Sequence, residues 1–210
     1  MTQLINGIRD GVRSGVRYVA RWLNHVSGGR VHPDVVTIFG SLMHLPIAVL
    51  IGLGRYNALA AVLLIIFGLF DTLDGELARL QKRASARGML LDASTDRMKE
   101  TVLYTGVAYA LATSSHPATA AWAAAACGAS LSVSYVKAKG EAAVAAGEAS
   151  IPHAVLNRMF KDGLLTFELR MAALVFGLLT GWLVWVVAAI ALLAGFTALQ
   201  RLVRISKVLP

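Results

Sequence analysis

Asp71-Thr72-Leu73-Asp74-Gly75-Glu76-Leu77-Ala78-Arg79, followed after eight residues by Gly88-Met89-Leu90-Leu91-Asp92-Ala93-Ser94-Thr95-Asp96, decides how this chain is read. Asp71 and Asp74 stand three apart and Asp92 and Asp96 four apart. Each pair therefore projects from one face of its helix. Lys82, Arg83 and Arg87 occupy the connection, which places the turn of this helical hairpin in water. At ~1.5 Å rise per residue, Asp71 lies about 12 Å from Arg79 and Asp96 about 12 Å from Gly88. Asp74 and Asp92 lie nearer the turn, at roughly 7 Å and 6 Å by the same rise. Two antiparallel helices thus bring four carboxylates to matching levels.

Working outward, the chain around this hairpin reads as membrane-embedded. Its 210 residues are 57% hydrophobic and 15% charged, and the mean hydropathy is +0.64. Soluble domains are less apolar and more charged. Six stretches approach the ~20 mainly apolar residues that a spanning helix needs. They run from about Val35 to Leu53, Ala58 to Arg79, Gly88 to Leu111, Ala118 to Val136, Leu165 to Leu179 and Trp182 to Leu202. Turn signals at Gly54-Arg55-Tyr56-Asn57, Ser114-Ser115-His116-Pro117 and Thr180-Gly181 separate them. Of the 20 Lys and Arg, all but Arg55 fall on one side of this map. The positive-inside rule makes that side cytoplasmic, with both termini and the carboxylates there and the plasma membrane as the expected location. The net charge of +8 then reflects topology rather than nucleic-acid binding.

Residues 1–30 are expected to form a separate amphipathic juxtamembrane helix, and residues 31–210 the membrane domain. Leu4, Ile5, Ile8, Val12, Val16, Val19, Leu23 and Val26 recur at three- and four-residue spacing. Arg9, Arg13, Arg17 and Arg21 form their own stripe. That pattern suits a helix lying in the headgroup plane, the alternative being a surface helix packed on the bundle. It lacks the compact apolar core and cleavage site of a signal peptide. Cys127 is the single cysteine, which excludes an intrachain disulfide and any cysteine-based metal site.

Four carboxylates at this depth are costly unless paired or metal-bound, and so mark function. All-oxygen ligation suits Mg²⁺, Mn²⁺ or Ca²⁺ rather than zinc. Gly75 and Gly88 beside them let a ligand approach the backbone closely. Glu76 and Glu100 are rotated away from the carboxylate face. His116 and His153 stand alone and read as loop residues. Thr37, after Pro33-Asp34, reads as part of the entry to the first span.

The eight fixed positions, Asp71, Asp74, Gly75, Ala78, Arg79, Gly88, Asp92 and Asp96, resemble the signature of the CDP-alcohol phosphotransferase family at every defined residue. The resemblance implies an all-α, six-span membrane bundle holding two divalent ions, Mg²⁺ or Mn²⁺. It implies that Asp71, Asp74 and Asp92 hold metal, that Asp96 completes the cluster and acts as general base, and that Gly75, Ala78, Arg79 and Gly88 line the CDP pocket. The implied reaction moves a phosphatidyl group from CDP-diacylglycerol to an alcohol and releases CMP. A homodimer is implied as well.

Asp96-Arg97 and the run Ser134-Tyr135-Val136-Lys137-Ala138-Lys139 are similar to bacterial phosphatidylinositol phosphate synthases, which use inositol phosphate. Lys137, with Arg170 and Arg201, would then hold the acceptor phosphate, as charged donors suit it. The paired Glu-Arg repeat of those synthases is echoed only in part by Glu168 and Arg170. A phosphatidylglycerophosphate synthase acting on glycerol 3-phosphate is the alternative acceptor reading. A divalent-cation transporter is the rival from another class. The carboxylates cluster at one end of two helices rather than at the midplane, and no inverted repeat is visible, which argues against it.

Overall fold

The structure is a computed structural model that describes residues 2–146 and 165–207. Among the described residues every regular element is helical. Pro152, His153 and the connection ending at Asp162 lie outside them, as do the side chains of Leu4, Ile5, Ile8 and Arg9. In chain order the helices are α1 (Thr2–Val26), α2 (Pro33–Leu42), α3 (His44–Gly52), α4 (Asn57–Gly68), α5 (Phe70–Leu80) and α6 (Ala86–Ala112). A short 3₁₀ turn (Pro117–Thr119) leads into α7 (Ala120–Ala146), and α8 (Phe167–Thr180) and α9 (Leu183–Ser206) follow.

The first two expected spans each come as two helices. Pro46 has no N–H to donate to the Leu42 carbonyl and its ring crowds that oxygen, so the helix breaks at Met43. The second break falls at Leu69, just after Gly68, where Leu69 N–H bonds the Ile66 carbonyl at 3.2 Å in a tighter turn. That break puts Asp71 in the first turn of α5. Among the described residues, four helical stretches are long and apolar enough to cross a membrane: Pro33–Gly52, Asn57–Leu80, Pro117–Ala146 and Leu183–Ser206. Helix α6 has 27 residues, about 40 Å, so length is no obstacle. Its first 15 residues instead carry Arg87, Asp92, Asp96, Arg97, Lys99 and Glu100, which lower its apolar character. Helix α8 has only 14 residues.

The chain forms two compact units, the first of residues Met1–Ile47 and Val62–Val102, the second of Ala48–Ala61 and Leu103–Pro210. In the first, α1 and α2 pack on α5. Val16 and Ala20 of α1 bury against Val36, Leu73 and Leu77, with Leu23, Val31 and Phe70 at the margin. Thus one arc of α1 packs on the protein, while Val12, Tyr18, Val19, Trp22 and Val26 form an adjoining exposed apolar arc. A Cβ on Gly40 would fall 2.8 Å from Phe70 Cβ, so only glycine permits this approach of α2 to α5. The rings of Phe39, Phe67 and Phe70 cluster there, 5.1 to 6.2 Å apart.

The hairpin turn between α5 and α6 has its own fastening. Lys82 takes a left-handed conformation at φ 55, and Arg83 N–H bonds back to the Ala78 carbonyl at 2.8 Å, which closes the end of α5. Ser85 Oγ accepts the Gly88 N–H at 3.1 Å and starts α6. Gln81 ties this turn to the end of α1, donating to Asn24 Oδ1 and the Val31 carbonyl, both at 2.9 Å.

In the second unit α9 packs against α7 and α8. Its buried stripe of Val187, Ile190, Ala194, Thr197, Ala198 and Arg201 follows helical spacing. Gly181, at φ 76, makes the short turn from α8 into α9. Gly106 packs on the Ala48 backbone, where a Cβ would fall 2.3 Å from the carbonyl oxygen. Tyr104 and Ser130 hydroxyls meet at 3.3 Å in its interior.

Candidate active site

Asp71 and Asp74 from α5 and Asp92 from α6 converge as the hairpin geometry requires. One carboxylate oxygen from each lies within 4.8 Å of the others. Asp74 is buried and Asp71 half-buried. The donor set fits a hard divalent cation: three carboxylates, oxygen only, with room for additional oxygens from solvent or substrate. Thr37 Oγ1 donates to Asp74 Oδ2 and also bonds the Pro33 carbonyl at 3.3 Å. A residue that reads as mere helix entry thus fixes a carboxylate of the cluster.

A cleft of about 400 Å³ opens beside the three carboxylates. Gly75, Ala78, Arg79 and Gly88 all line it, with Arg13, Thr37 and Arg83. The two glycines are not packing contacts. A Cβ on Gly75 would meet only the Arg79 guanidinium, at 3.8 Å, and one on Gly88 only Ser85 Oγ, at 3.5 Å. Their missing side chains leave space in the cleft instead. Arg79 is oriented from behind by Glu76, 2.9 Å from its guanidinium, and Glu76 also faces Arg17 of α1 at 3.6 Å. The rotation of Glu76 away from the carboxylates is therefore real, and it turns the side chain onto two arginines.

Asp96 is held differently from the other three. Its Oδ1 lies 2.7 Å from Lys99 Nζ and its Oδ2 lies 3.6 Å from Arg97. The same Lys99 Nζ lies 2.6 Å from Asp71 Oδ1. Arg97 in turn pairs with the buried Glu100. Lys99 was not among the residues expected to matter. Its signal was nonetheless present, because a lysine three residues after Asp96 shares the carboxylate face of α6.

The expected acceptor residues lie in the second unit. Lys137 is half-exposed and 3.9 Å from Glu141. Arg170 is buried and donates to the Leu165 carbonyl at 3.0 Å. Arg201, also buried, donates to the Val133 carbonyl at 3.3 Å.

Apolar helices long enough to cross a membrane thus accompany three converging carboxylates and a cleft with three arginines. The family described as CDP-alcohol phosphatidyltransferase matches residues 30–195. The chain belongs to that family. Phosphatidylinositol phosphate synthase of Cutibacterium acnes is 34% identical over 114 residues, 53% of this chain and 54% of that one. The Corynebacterium glutamicum protein of the same name is 34% identical over 115 residues, 54% and 52% of the two chains. The match thus spans about half the length of these relatives. Among solved structures, phosphatidylinositol phosphate synthase of Mycobacterium tuberculosis with CDP-DAG bound superposes with a TM-score of 0.75 at 24% identity. That match covers 90% of this chain and 92% of that one. The same enzyme in complex with manganese and citrate gives a TM-score of 0.76 at 24% identity, covering 91% and 88%. At that identity the likeness is one of fold.

Proposed function

We propose that this protein transfers a phosphatidyl group from CDP-diacylglycerol to the hydroxyl of a polar alcohol, releasing CMP, and that inositol 1-phosphate is the favoured acceptor. The observation that carries this reading is the convergence of Asp71, Asp74 and Asp92 on one cation-sized space at the wall of the cleft that Gly75, Ala78, Arg79 and Gly88 line. Asp71, Asp74 and Asp92 would hold a divalent ion, Mg²⁺ or Mn²⁺, which would supply Lewis-acid charge to the donor diphosphate. Arg79 meets a phosphate oxygen, and the two glycines admit the nucleotide close to the backbone. The acceptor hydroxyl attacks the lipid-bearing phosphorus, and Asp96 takes its proton. The bond to the CMP oxygen breaks, and CMP leaves with that oxygen. The names of the two 34% identical relatives support inositol phosphate as acceptor.

The reading extends to the membrane. Helices α6 and α8 complete six spans, with the cleft and both termini on the cytoplasmic face of the plasma membrane and two copies forming a dimer. The basic turn at Lys82, Arg83 and Arg87 supports this orientation. The exposed arc of Val12, Val19, Trp22 and Val26 on α1 supports contact with lipid beside the bundle. To test the acceptor, the purified protein is given CDP-diacylglycerol and Mn²⁺ with inositol 1-phosphate, free inositol or glycerol 3-phosphate. CMP release is expected at least tenfold faster with inositol 1-phosphate. Preference for glycerol 3-phosphate overturns the acceptor and leaves the transfer chemistry standing.

A further inference from the structure

Round α1, at about 100° per residue, the exposed apolar arc of Trp22, Val26, Val19 and Val12 comes first, then buried Val16 and Ala20, then Arg17 and Arg21. Val16 and Ala20 bury in one cluster with Leu73 and Leu77 of α5, which sets the residue after each, Arg17 and Arg21, at the edge of α5. Packed helix faces make that placement, whatever rotamer each arginine takes. A second cleft, of about 290 Å³, opens there between Arg17, Ala20 and Arg21 of α1 and Glu76, Arg79 and Leu80 of α5. Three guanidiniums thus face one carboxylate. Glu76 lies 2.9 Å from Arg79 and 3.6 Å from Arg17, and its two oxygens cannot use the five N–H donors of each guanidinium. Arg21 makes no ion pair among the described residues. Planar, charged donors left over in a cleft suit the oxygens of a phosphate. Arg79 lines this cleft and the donor cleft as well.

We propose that the groove between α1 and α5 is a second anion site, in which Arg17 and Arg21 hold the phosphate of a water-soluble molecule and draw Arg79 from the donor cleft when it is filled. The inference rests on the reading of the first cleft as the donor site and of the apolar arc of α1 as its lipid contact. With that arc in lipid, the arginines lie across the helix from the membrane and face water. One guanidinium cannot serve two clefts at once, so phosphate in the second weakens donor binding in the first. Binding linkage makes the effect mutual: bound donor weakens phosphate by the same factor.

The test is inorganic phosphate, titrated into the full chain in uncharged detergent without divalent ions and followed by phosphorus NMR. Arg21→Gln and Arg17→Gln are each expected to weaken binding about fivefold. Arg83→Gln, at a residue that lines the donor cleft and not the second one, is expected to leave it unchanged. No phosphate binding, or binding that depends on Arg83 and not on Arg21, overturns the site. Phosphatidic acid in the same micelles is expected to leave phosphate affinity unchanged. Displacement of phosphate by that lipid would make the occupant a headgroup and overturn the water-side assignment. In the CMP-release assay, phosphate is expected to raise the donor KM about fivefold in the wild type with kcat unchanged. Arg21→Gln, whose KM without phosphate should match the wild type, is expected to show no such rise. An equal rise in both overturns the link through Arg79. A chain that binds phosphate in this pattern and releases no CMP removes the transferase reading and leaves the anion site standing.

Discussion

Thr37, in the first turns of α2, donates its hydroxyl to Asp74, a carboxylate 37 residues further on in α5. The bond joins the entry of one apolar helix to the cation-binding face of another and leaves Asp74 one orientation. Partners that orient metal ligands commonly change affinity by about 10- to 100-fold when removed. Thr37→Val, similar in shape and lacking the hydroxyl, is expected to weaken Mn²⁺ binding about tenfold. A Mn²⁺ titration of the folded variant checks this, and unchanged affinity would show that packing alone positions Asp74.

Glu76 holds Arg79 from the side away from the cleft. Arg79 is 61% exposed, so the pair is screened by solvent and worth about 1 kcal/mol at most. Glu76→Gln is accordingly expected to raise the KM for the CDP-linked donor about fivefold with kcat nearly unchanged. Steady-state kinetics in the donor distinguish this from a loss of fold, which would lower the active fraction and leave KM alone.

Two glycines with opposite duties separate packing from substrate access. At Gly106 an added methyl would fall 2.3 Å from the Ala48 carbonyl oxygen, and backbone cannot yield cheaply. Gly106→Ala is expected to cost about 1–3 kcal/mol. Gly75→Ala meets only a mobile guanidinium, so it is expected to melt with the wild type while binding donor more weakly. Thermal melting in detergent, paired with donor binding, reads both; equal melting of the two variants would contradict the assignment.

Asp96 is tied to Lys99 and Arg97, outside the three-carboxylate group. Asp96→Asn is expected to lower turnover by about 100-fold or more, the range associated with a lost general base. Mn²⁺ binding at Asp71, Asp74 and Asp92 should persist. Loss of the ion in that variant would make Asp96 a ligand instead.

The carboxylate hairpin was legible because it obeys one rule: three- and four-residue spacing on helices joined by a short basic turn. That Gly75, Ala78, Arg79 and Gly88 share a pocket was implied by the family resemblance, and all four line the cleft. What spacing cannot carry is the contact a side chain makes on another element. Glu76 was correctly turned from the carboxylates, yet its value lies in Arg17 and Arg79, and Arg17 reaches it only because α1 packs on α5. Val16 and Ala20 bury in that contact, so the apolar stripe of α1 divides between protein and an exposed arc, a division that periodicity does not mark. The breaks at Met43 and Leu69 differ from each other in this respect. Pro46 announces the first, whereas Gly68 is only a weak sign of the second. Helix α6, expected as a span from its apolar second half, has the length of one, but the charges near its start keep it out of the four apolar stretches.

The measurement that tests the central claim most directly is CMP release from CDP-diacylglycerol by the purified protein with inositol 1-phosphate, with Mn²⁺ present and then removed by chelator. The account predicts release that stops on chelation and returns when Mn²⁺ is restored. Release that continues undiminished after chelation, or none from a folded protein with its ion bound and any of the three acceptors present, would contradict it.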